Sequence, residues 1–116
     1  MTALINKSPS PSYAVEGQTF TLEWTYTLDG TVGFAQFSII TSSGSESLIG
    51  RRFGPGVITV QPKYQSRFRA HATSTRAELI LLAVQRSDQS VYRMNVFPTG
   101  SGAIVQLVFV IVKCKY

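Results

Sequence analysis

Apolar and polar residues alternate strictly along several short stretches of the chain. In the clearest one, residues 19–26, large apolar side chains alternate with Thr and Glu. A period of two residues is typical of a β-strand that is buried on one face. Residues 33–40 are predicted to form another strand, in which Ala35, Phe37 and Ile39 would share one face. The hydrophobic pattern therefore predicts a chain built mainly from β-strands.

Shorter apolar stretches follow along the rest of the chain, between segments rich in Gly, Pro and Ser. Such segments, for example 28–30 and 98–102, are typical of turns. About nine strands with turns every eight to twelve residues favour a β-sandwich or a β-barrel. Besides the two strands above, the predicted strands are 48–49, 57–60, 65–72, 78–84, 91–97 and 103–112.

Length and composition are those of one folding unit. The 116 residues, of which 44% are apolar, suffice for one domain with one core. We expect a single domain over 1–116, in which 113–116 form a tail or the start of a linker. The longest apolar run, 107–112, is much shorter than the roughly 18 residues of a membrane-spanning helix. Membrane attachment would therefore need a segment outside this sequence.

The residue types that usually carry catalysis or bind metals are scarce. The sequence contains one cysteine, Cys114, and one histidine, His71. A single cysteine cannot form an internal disulfide, and two such side chains are too few for a Cys/His metal site. The six carboxylates show no pairing that indicates acid–base catalysis. We therefore expect no enzyme activity, no cofactor and no metal.

The chain is basic, with a formal net charge of +5. A positive balance favours anionic partners. Because the basic residues are scattered and not interleaved with aromatic residues, nucleic-acid binding is not expected. A module that binds sulfated glycans or acidic lipids stays open as an alternative function. Its candidate residues are Arg51, Arg52, Lys63 and Arg69.

Several segments, in their order along the chain, are similar to those of a known family. They are 15–18 with Leu22, Arg67-Phe68, Leu79 with Leu81 and Val84, 87–92, and Gly100-x-Gly102 with Val105 and Leu107. In this order they resemble strands B, D and E, the turn before strand F, and strand G of the V-set domains of the immunoglobulin superfamily. The resemblance implies an all-β fold, an immunoglobulin V-type sandwich of two antiparallel sheets.

Two features of that resemblance predict contacts at one end of the sandwich. Arg67 and Asp88 have the separation of the V-set ion pair that joins strand D to the turn between strands E and F. Tyr92 matches the tyrosine corner, whose hydroxyl bonds a backbone carbonyl a few residues upstream. We therefore expect Arg67, Asp88 and Tyr92 to stabilise the same turn.

The sequence departs from the family where the disulfide between the sheets would be. Trp24 stands at the strand B cysteine, Met94 at the strand F cysteine, and Phe37 at the strand C tryptophan. The resemblance thus implies that apolar packing replaces the disulfide. Alternatively, this strand is shifted in the alignment with the family, and Trp24 is an ordinary core residue.

The resemblance also implies two recognition surfaces, namely the loops at one end and the outer face of strands G, F, C and C′. Because about five small residues connect F to G, a long recognition loop is not expected, and the sheet face is favoured. If Met94 points inward, alternation turns Arg93, Asn95 and Phe97 outward. Strand C adds Phe34, Gln36, Ser38 and Ile40 to the outer face.

The same alignment predicts which side chains of the apolar strand G point inward. We expect Val105, Leu107, Phe109 and Ile111 to point inward, and Ile104, Gln106, Val108, Val110 and Val112 outward. A solvated sheet face should be polar, so an apolar one indicates an interface. A neighbouring domain or the N-terminal strand could instead cover the far end of strand G. The predicted partner-binding residues are Gln36, Ile40, Asn95, Phe97, Ile104, Gln106 and Val108.

These observations favour an extracellular recognition domain of a cell-surface or secreted receptor, of immune or adhesion type. Its expected partner is a V domain that pairs face to face, either a second copy or a related chain. Asn6, in Asn6-Lys7-Ser8, is the one Asn-x-Ser/Thr site and would accept a glycan on a secreted protein. Cys114 lies beyond the last predicted strand and should be an accessible thiol.

Overall fold

The computed structural model describes residues 2–54, 56–100 and 102–114. Within these ranges the chain forms ten strands and two short 3-10 helices. The strands are β1 (Ala3–Lys7), β2 (Ser12–Val15), β3 (Phe20–Thr27), β4 (Val32–Ile40), β5 (Glu46–Phe53), β6 (Thr59–Val60), β7 (Phe68–Ala72), β8 (Arg76–Leu81), β9 (Ser90–Pro98) and β10 (Ile104–Lys113). The helices are Pro62–Tyr64 and Arg86–Asp88.

The strands form two sheets that pack face to face. One has four strands in the order β1-β3-β8-β7, and the other has six in the order β2-β10-β9-β4-β5-β6. All neighbours are antiparallel except β2 and β10, which are parallel. The strands β5 and β6, which extend the second sheet beyond β4, distinguish the V-type from the smaller constant type. The fold is an immunoglobulin V-type two-sheet sandwich, which confirms the predicted fold class.

The centre of the core contains the three residues that the resemblance aligns with the disulfide and its tryptophan. Trp24 on β3 and Met94 on β9 come from opposite sheets, and both are fully buried. Phe37, which pairs with Met94, places its ring centroid 5.9 Å from that of Trp24. The Trp24 indole N–H has no hydrogen-bond partner among the described residues. Apolar burial therefore joins the two sheets at this point.

The turn before β9 is held by the predicted polar contacts. Arg67 donates a hydrogen bond to the carboxylate of Asp88, which also accepts from the backbone N–H of Gln85 at 2.8 Å. The Tyr92 hydroxyl donates to the carbonyl of Asp88, in the geometry of a tyrosine corner. Burial and the nearby Asp88 carboxylate raise the pKa of Tyr92. Together these contacts join β7, the turn and β9.

Several strand limits differ from the sequence prediction. β5 covers eight residues where only 48–49 was expected, because it pairs along β4 on one side and with β6 on the other. β6 is limited to two residues of the predicted 57–60. The strand predicted over 78–84 ends at Leu81, since Ala83 takes a left-handed backbone conformation with a φ of 44°. Lys113, predicted to open a tail, still belongs to β10, and residues 115–116 of that predicted tail lie outside the described residues.

Candidate protein-binding face

The outward surfaces of the two sheets differ in chemistry. On the four-stranded sheet, outward side chains on β3 and β8 include Thr21, Glu23, Thr25, Arg76 and Glu78. The ion pair between Arg76 and Glu23 is largely exposed. Polar and charged side chains are typical of a sheet face that is exposed to water. Ile80 is an outward apolar residue of β8, and Ile5 on β1 is the one large exposed apolar side chain on the described strands of this sheet.

The outward surface of the six-stranded sheet is rich in exposed apolar side chains. We call it the outer face, meaning the outward-pointing residues of β2, β10, β9, β4 and β5. Eight large apolar side chains are exposed in the described part of the chain, and six of them lie on the outer face. The six are Tyr13, Phe53, Phe97, Val105, Leu107 and Phe109. Concentration on one surface is the usual mark of a binding site.

Three aromatic rings form a strip across one end of the outer face. Phe34 on β4 lies opposite both Phe53 on β5 and Phe97 on β9. Its ring centroid is 4.9 Å from that of Phe53 and 5.7 Å from that of Phe97. Phe53 is 71% exposed, and the Arg51 guanidinium lies over its ring at 5.4 Å. Cross-strand aromatic contact holds these rings in place while leaving their surface open.

A second apolar group follows β10 toward β2. Val105, Leu107 and Phe109 alternate along β10 and are 43%, 52% and 39% exposed. Ile111 continues the row and lies opposite Tyr13 of β2. The Lys113 ammonium sits over the Tyr13 ring at 4.7 Å. The apolar surface thus reaches the edge of the sheet.

A polar network lies between the two apolar groups. Arg93 on β9 forms an ion pair with Glu46 on β5 at 3.3 Å, and its Nε donates to the side-chain oxygen of Asn95 at 3.2 Å. The Ser38 hydroxyl donates to the other carboxylate oxygen of Glu46. Because each charge already has a partner, this network can be covered by another protein at a lower desolvation cost.

The phase of β10 is the reverse of the prediction. Ile104 and Val108, expected to point outward, are 5% and 0% exposed and belong to the core. Gln106 shares their side of the strand, and its side-chain oxygen accepts a hydrogen bond from Lys7 of β1 at 3.3 Å. The residues that point outward are Val105, Leu107, Phe109 and Ile111. The prediction of Ile104, Gln106 and Val108 as outer-face residues is therefore wrong.

The reason lies in the composition of the strand. Between Ile104 and Val112, Gln106 is the one polar residue. The pattern of polar and apolar residues therefore does not show which side of the strand faces water. Pairing with β9 sets the register instead, because Ile104 lies opposite the buried Val96 and Val108 opposite the buried Tyr92. A shift of one residue moves every side chain to the other face.

The other four predicted partner-binding residues do stand on the outer face. Gln36 and Asn95 lie opposite each other on β4 and β9, and Asn95 is 7% exposed. Ile40 is partly buried near the far end of β4. Phe97 is 41% exposed in the aromatic strip. The sequence analysis missed Phe53 and Tyr13, because neither lies in a stretch where apolar and polar residues alternate.

The four basic residues of the alternative function do not share one surface. Arg51 points outward on the six-stranded sheet, whereas Arg69 alternates with the buried Phe68 and Ala70 and points outward on the other. Arg52 is directed between the sheets, where its Nη1 donates to the carbonyls of Gly56 and Ala72 at 2.6 and 2.8 Å. The fold therefore separates Arg51, Arg52 and Arg69.

Other predicted features fall outside the outer face. Asn6 is exposed on β1, at the edge of the four-stranded sheet. Cys114 is exposed beyond β10, beside the guanidinium of Arg86. In the described ranges, no three His, Cys, Asp or Glu side chains are grouped to hold a metal ion. No helix there has the length and hydropathy needed to span a membrane.

A comparison with solved structures finds a match for this fold, whereas comparisons of sequence find none. No family model matches the chain, and no curated protein is similar to it in sequence. Its fold matches that of murine CRIg. The superposition covers 100% of this chain and 99% of that one, with a TM-score of 0.74 and 17% sequence identity. At this identity the likeness describes the fold alone.

Proposed function

We propose that this chain is an extracellular recognition domain of a cell-surface or secreted receptor, of immune or adhesion type, that binds a V-type protein partner through the outer face. The observation that carries the proposal is the concentration of exposed apolar side chains on that one surface. Function must be argued from the site, since one fold serves many functions. V-type sandwiches are common among cell-surface domains, which supports the receptor class.

The amount of exposed apolar surface is sufficient for a specific interface. The exposed fractions of Tyr13, Phe53, Phe97 and Phe109 together equal about two whole aromatic side chains. At about 150–250 Å² per aromatic side chain, this is roughly 300–500 Å². A standard interface buries about 800 Å² per partner, of which somewhat more than half is apolar. With Val105 and Leu107 added, the outer face supplies an apolar area of that size.

The internal polar network supports burial of the same surface. Glu46 and Arg93 neutralise each other, and the partly exposed Gln36 brings an amide group that can hydrogen-bond a partner and fix its orientation. Phe34, Phe53 and Phe97 are held against each other before binding. A surface that is ordered in advance pays less conformational entropy on association.

Self-association at high ionic strength tests whether the outer face can pair at all. In 0.5 M NaCl, where exposed charges more than about 5 Å apart are screened, sedimentation equilibrium up to about 1 mM should show a reversible dimer. Leu107→Arg, which places a charge amid the apolar group, should remain folded and become monomeric. The control Ile5→Arg alters an exposed residue of the other sheet and should dimerise like the wild type.

A dimer of undiminished affinity in Leu107→Arg would contradict the proposal, because it would place the interface elsewhere. A wild type that stays monomeric at these concentrations, even with its charges screened, would exclude a second copy as the partner and leave a different chain or a neighbouring domain. The alternative function, binding of an anionic ligand, predicts instead that affinity for heparin falls with salt and is insensitive to Leu107→Arg.

A further inference from the structure

The charges on the outer face are distributed unevenly. Four charged residues point outward from the strands of the six-stranded sheet, and they are Arg51, Arg93, Lys113 and Glu46. Glu46 is the one carboxylate among these outward-pointing strand residues, and Arg93 neutralises it at 3.3 Å. The two remaining charges, Arg51 and Lys113, are both positive and both exposed.

Arg51 and Lys113 stand at opposite borders of the apolar surface. Arg51 lies on β5, beside the aromatic strip, and Lys113 lies at the end of β10, next to β2. Neither is in an ion pair with any described carboxylate; each lies instead over an aromatic ring. A partner that covers the apolar surface would therefore meet a cation on each side.

We infer that the outer face selects a different protein chain, whose apolar surface is bordered by carboxylates, over a second copy of this chain. The inference rests on the proposed function and names the chemistry of its partner. Two copies that meet through the outer face bring four unpaired cations to one interface, on chains that each carry a net charge of +5. Like charges at an interface are repulsive, whereas complementary charges speed association and exclude wrong partners.

In the test, a charge-reversed variant of the chain serves as the partner with complementary charges. The variant Arg51→Glu/Lys113→Glu keeps the apolar surface and replaces both border cations with carboxylates. In about 20 mM salt, where the screening length exceeds 20 Å, wild type mixed with this variant should associate at least about tenfold more tightly than wild type with itself. Sedimentation velocity, with one component labelled at its N-terminus, measures both affinities. Raising the salt should weaken the mixed pair and strengthen the wild-type pair.

A matched control distinguishes the effect of the two border positions on affinity from the effect of net charge. Lys63→Glu/Arg69→Glu changes the net charge by the same amount at residues that do not point outward from the six-stranded sheet. Mixed with wild type, this control should gain much less affinity than the Arg51→Glu/Lys113→Glu variant. An equal gain would overturn the inference, because total charge alone would then explain the effect.

Other outcomes would contradict the inference or the proposed function, and some would indicate a different partner for the outer face. If wild type associates with itself in low salt as tightly as with the variant, the partner is a second copy and the inference fails, while the outer face stands. If Leu107→Arg leaves the mixed pair intact, the proposed function fails instead. Binding of wild type to vesicles that contain phosphatidylserine, lost in Arg51→Glu/Lys113→Glu, would assign the two cations to a lipid surface and also overturn the inference.

Discussion

Leu107 and Val108 are consecutive residues of β10, and their side chains lie on opposite sides of the six-stranded sheet. Leu107 is 52% exposed on the outer face, and Val108 is fully buried among core residues. Their chemistry is nearly the same, so the difference in environment alone should decide what each substitution costs.

Val108→Ala should lower the free energy of unfolding by about 1–3 kcal/mol, because it removes buried methyl groups and leaves a cavity. Leu107→Ala should change it by less than about 0.5 kcal/mol, since the side chain is half solvated. Urea denaturation of the two variants measures both values. If Leu107→Ala were the more costly change, the described phase of β10 would be wrong.

Asp88→Ala should destabilise the domain by about 2–4 kcal/mol. The change leaves the Arg67 guanidinium and the Gln85 backbone N–H without their acceptor in a largely buried site. The matched control is Glu23→Ala, which breaks the exposed pair with Arg76 and should cost about 0–1 kcal/mol. Both values come from chemical denaturation at neutral pH, and equal costs would show that burial does not strengthen the Asp88 contacts.

The domain should lose stability in alkaline solution as its buried tyrosines ionise. Burial raises the pKa of Tyr26 from the ordinary tyrosine value of 10.0 to about 12, and it raises the pKa of Tyr92 as well. Above pH 10 the unfolded chain releases these protons while the folded chain retains them. Stability is therefore full below pH 10 and falls as the pH rises toward 12. Tyr26→Phe should give a shallower fall in melting temperature over this range, and an unchanged slope would argue against a role for Tyr26.

Met94→Ala should cost about 2–5 kcal/mol, because Met94 is fully buried and pairs with the buried Phe37. Met94→Leu, which nearly conserves volume, should cost less than about 1.5 kcal/mol. Thermal unfolding of the two variants compares the costs. A small loss in Met94→Ala would mean that apolar packing at this point contributes little to joining the sheets.

Cys114 should react with a thiol reagent in the native protein at the rate of an exposed thiol. Its side chain is exposed beyond β10. Titration with Ellman's reagent should therefore give one thiol per chain without denaturant, and Cys114→Ser should give none. A native protein that reacts only after unfolding would show that the thiol is covered in solution.

The sequence alone determined the class of fold, because the relevant signals are local. Strict alternation over 19–26 and the shared apolar face of Ala35, Phe37 and Ile39 indicate two strands, and both are present as β3 and β4. The separation of Arg67 and Asp88 and the position of Tyr92 indicated the contacts that hold the turn before β9. Each of these features depends on residue type and spacing, which a sequence states directly.

The tertiary structure decided which side of β10 meets water, and with it the composition of the outer face. The strand is apolar on both sides, so burying either set of side chains would satisfy the hydrophobic effect about equally. The register with β9 decides which set is buried, since it places Ile104 and Val108 opposite residues that already face the core. The structure likewise separated Arg51 from Arg52, because neighbours on a strand point to opposite faces. Which residues share a surface is set by pairing between strands distant in sequence, and no local pattern contains that information.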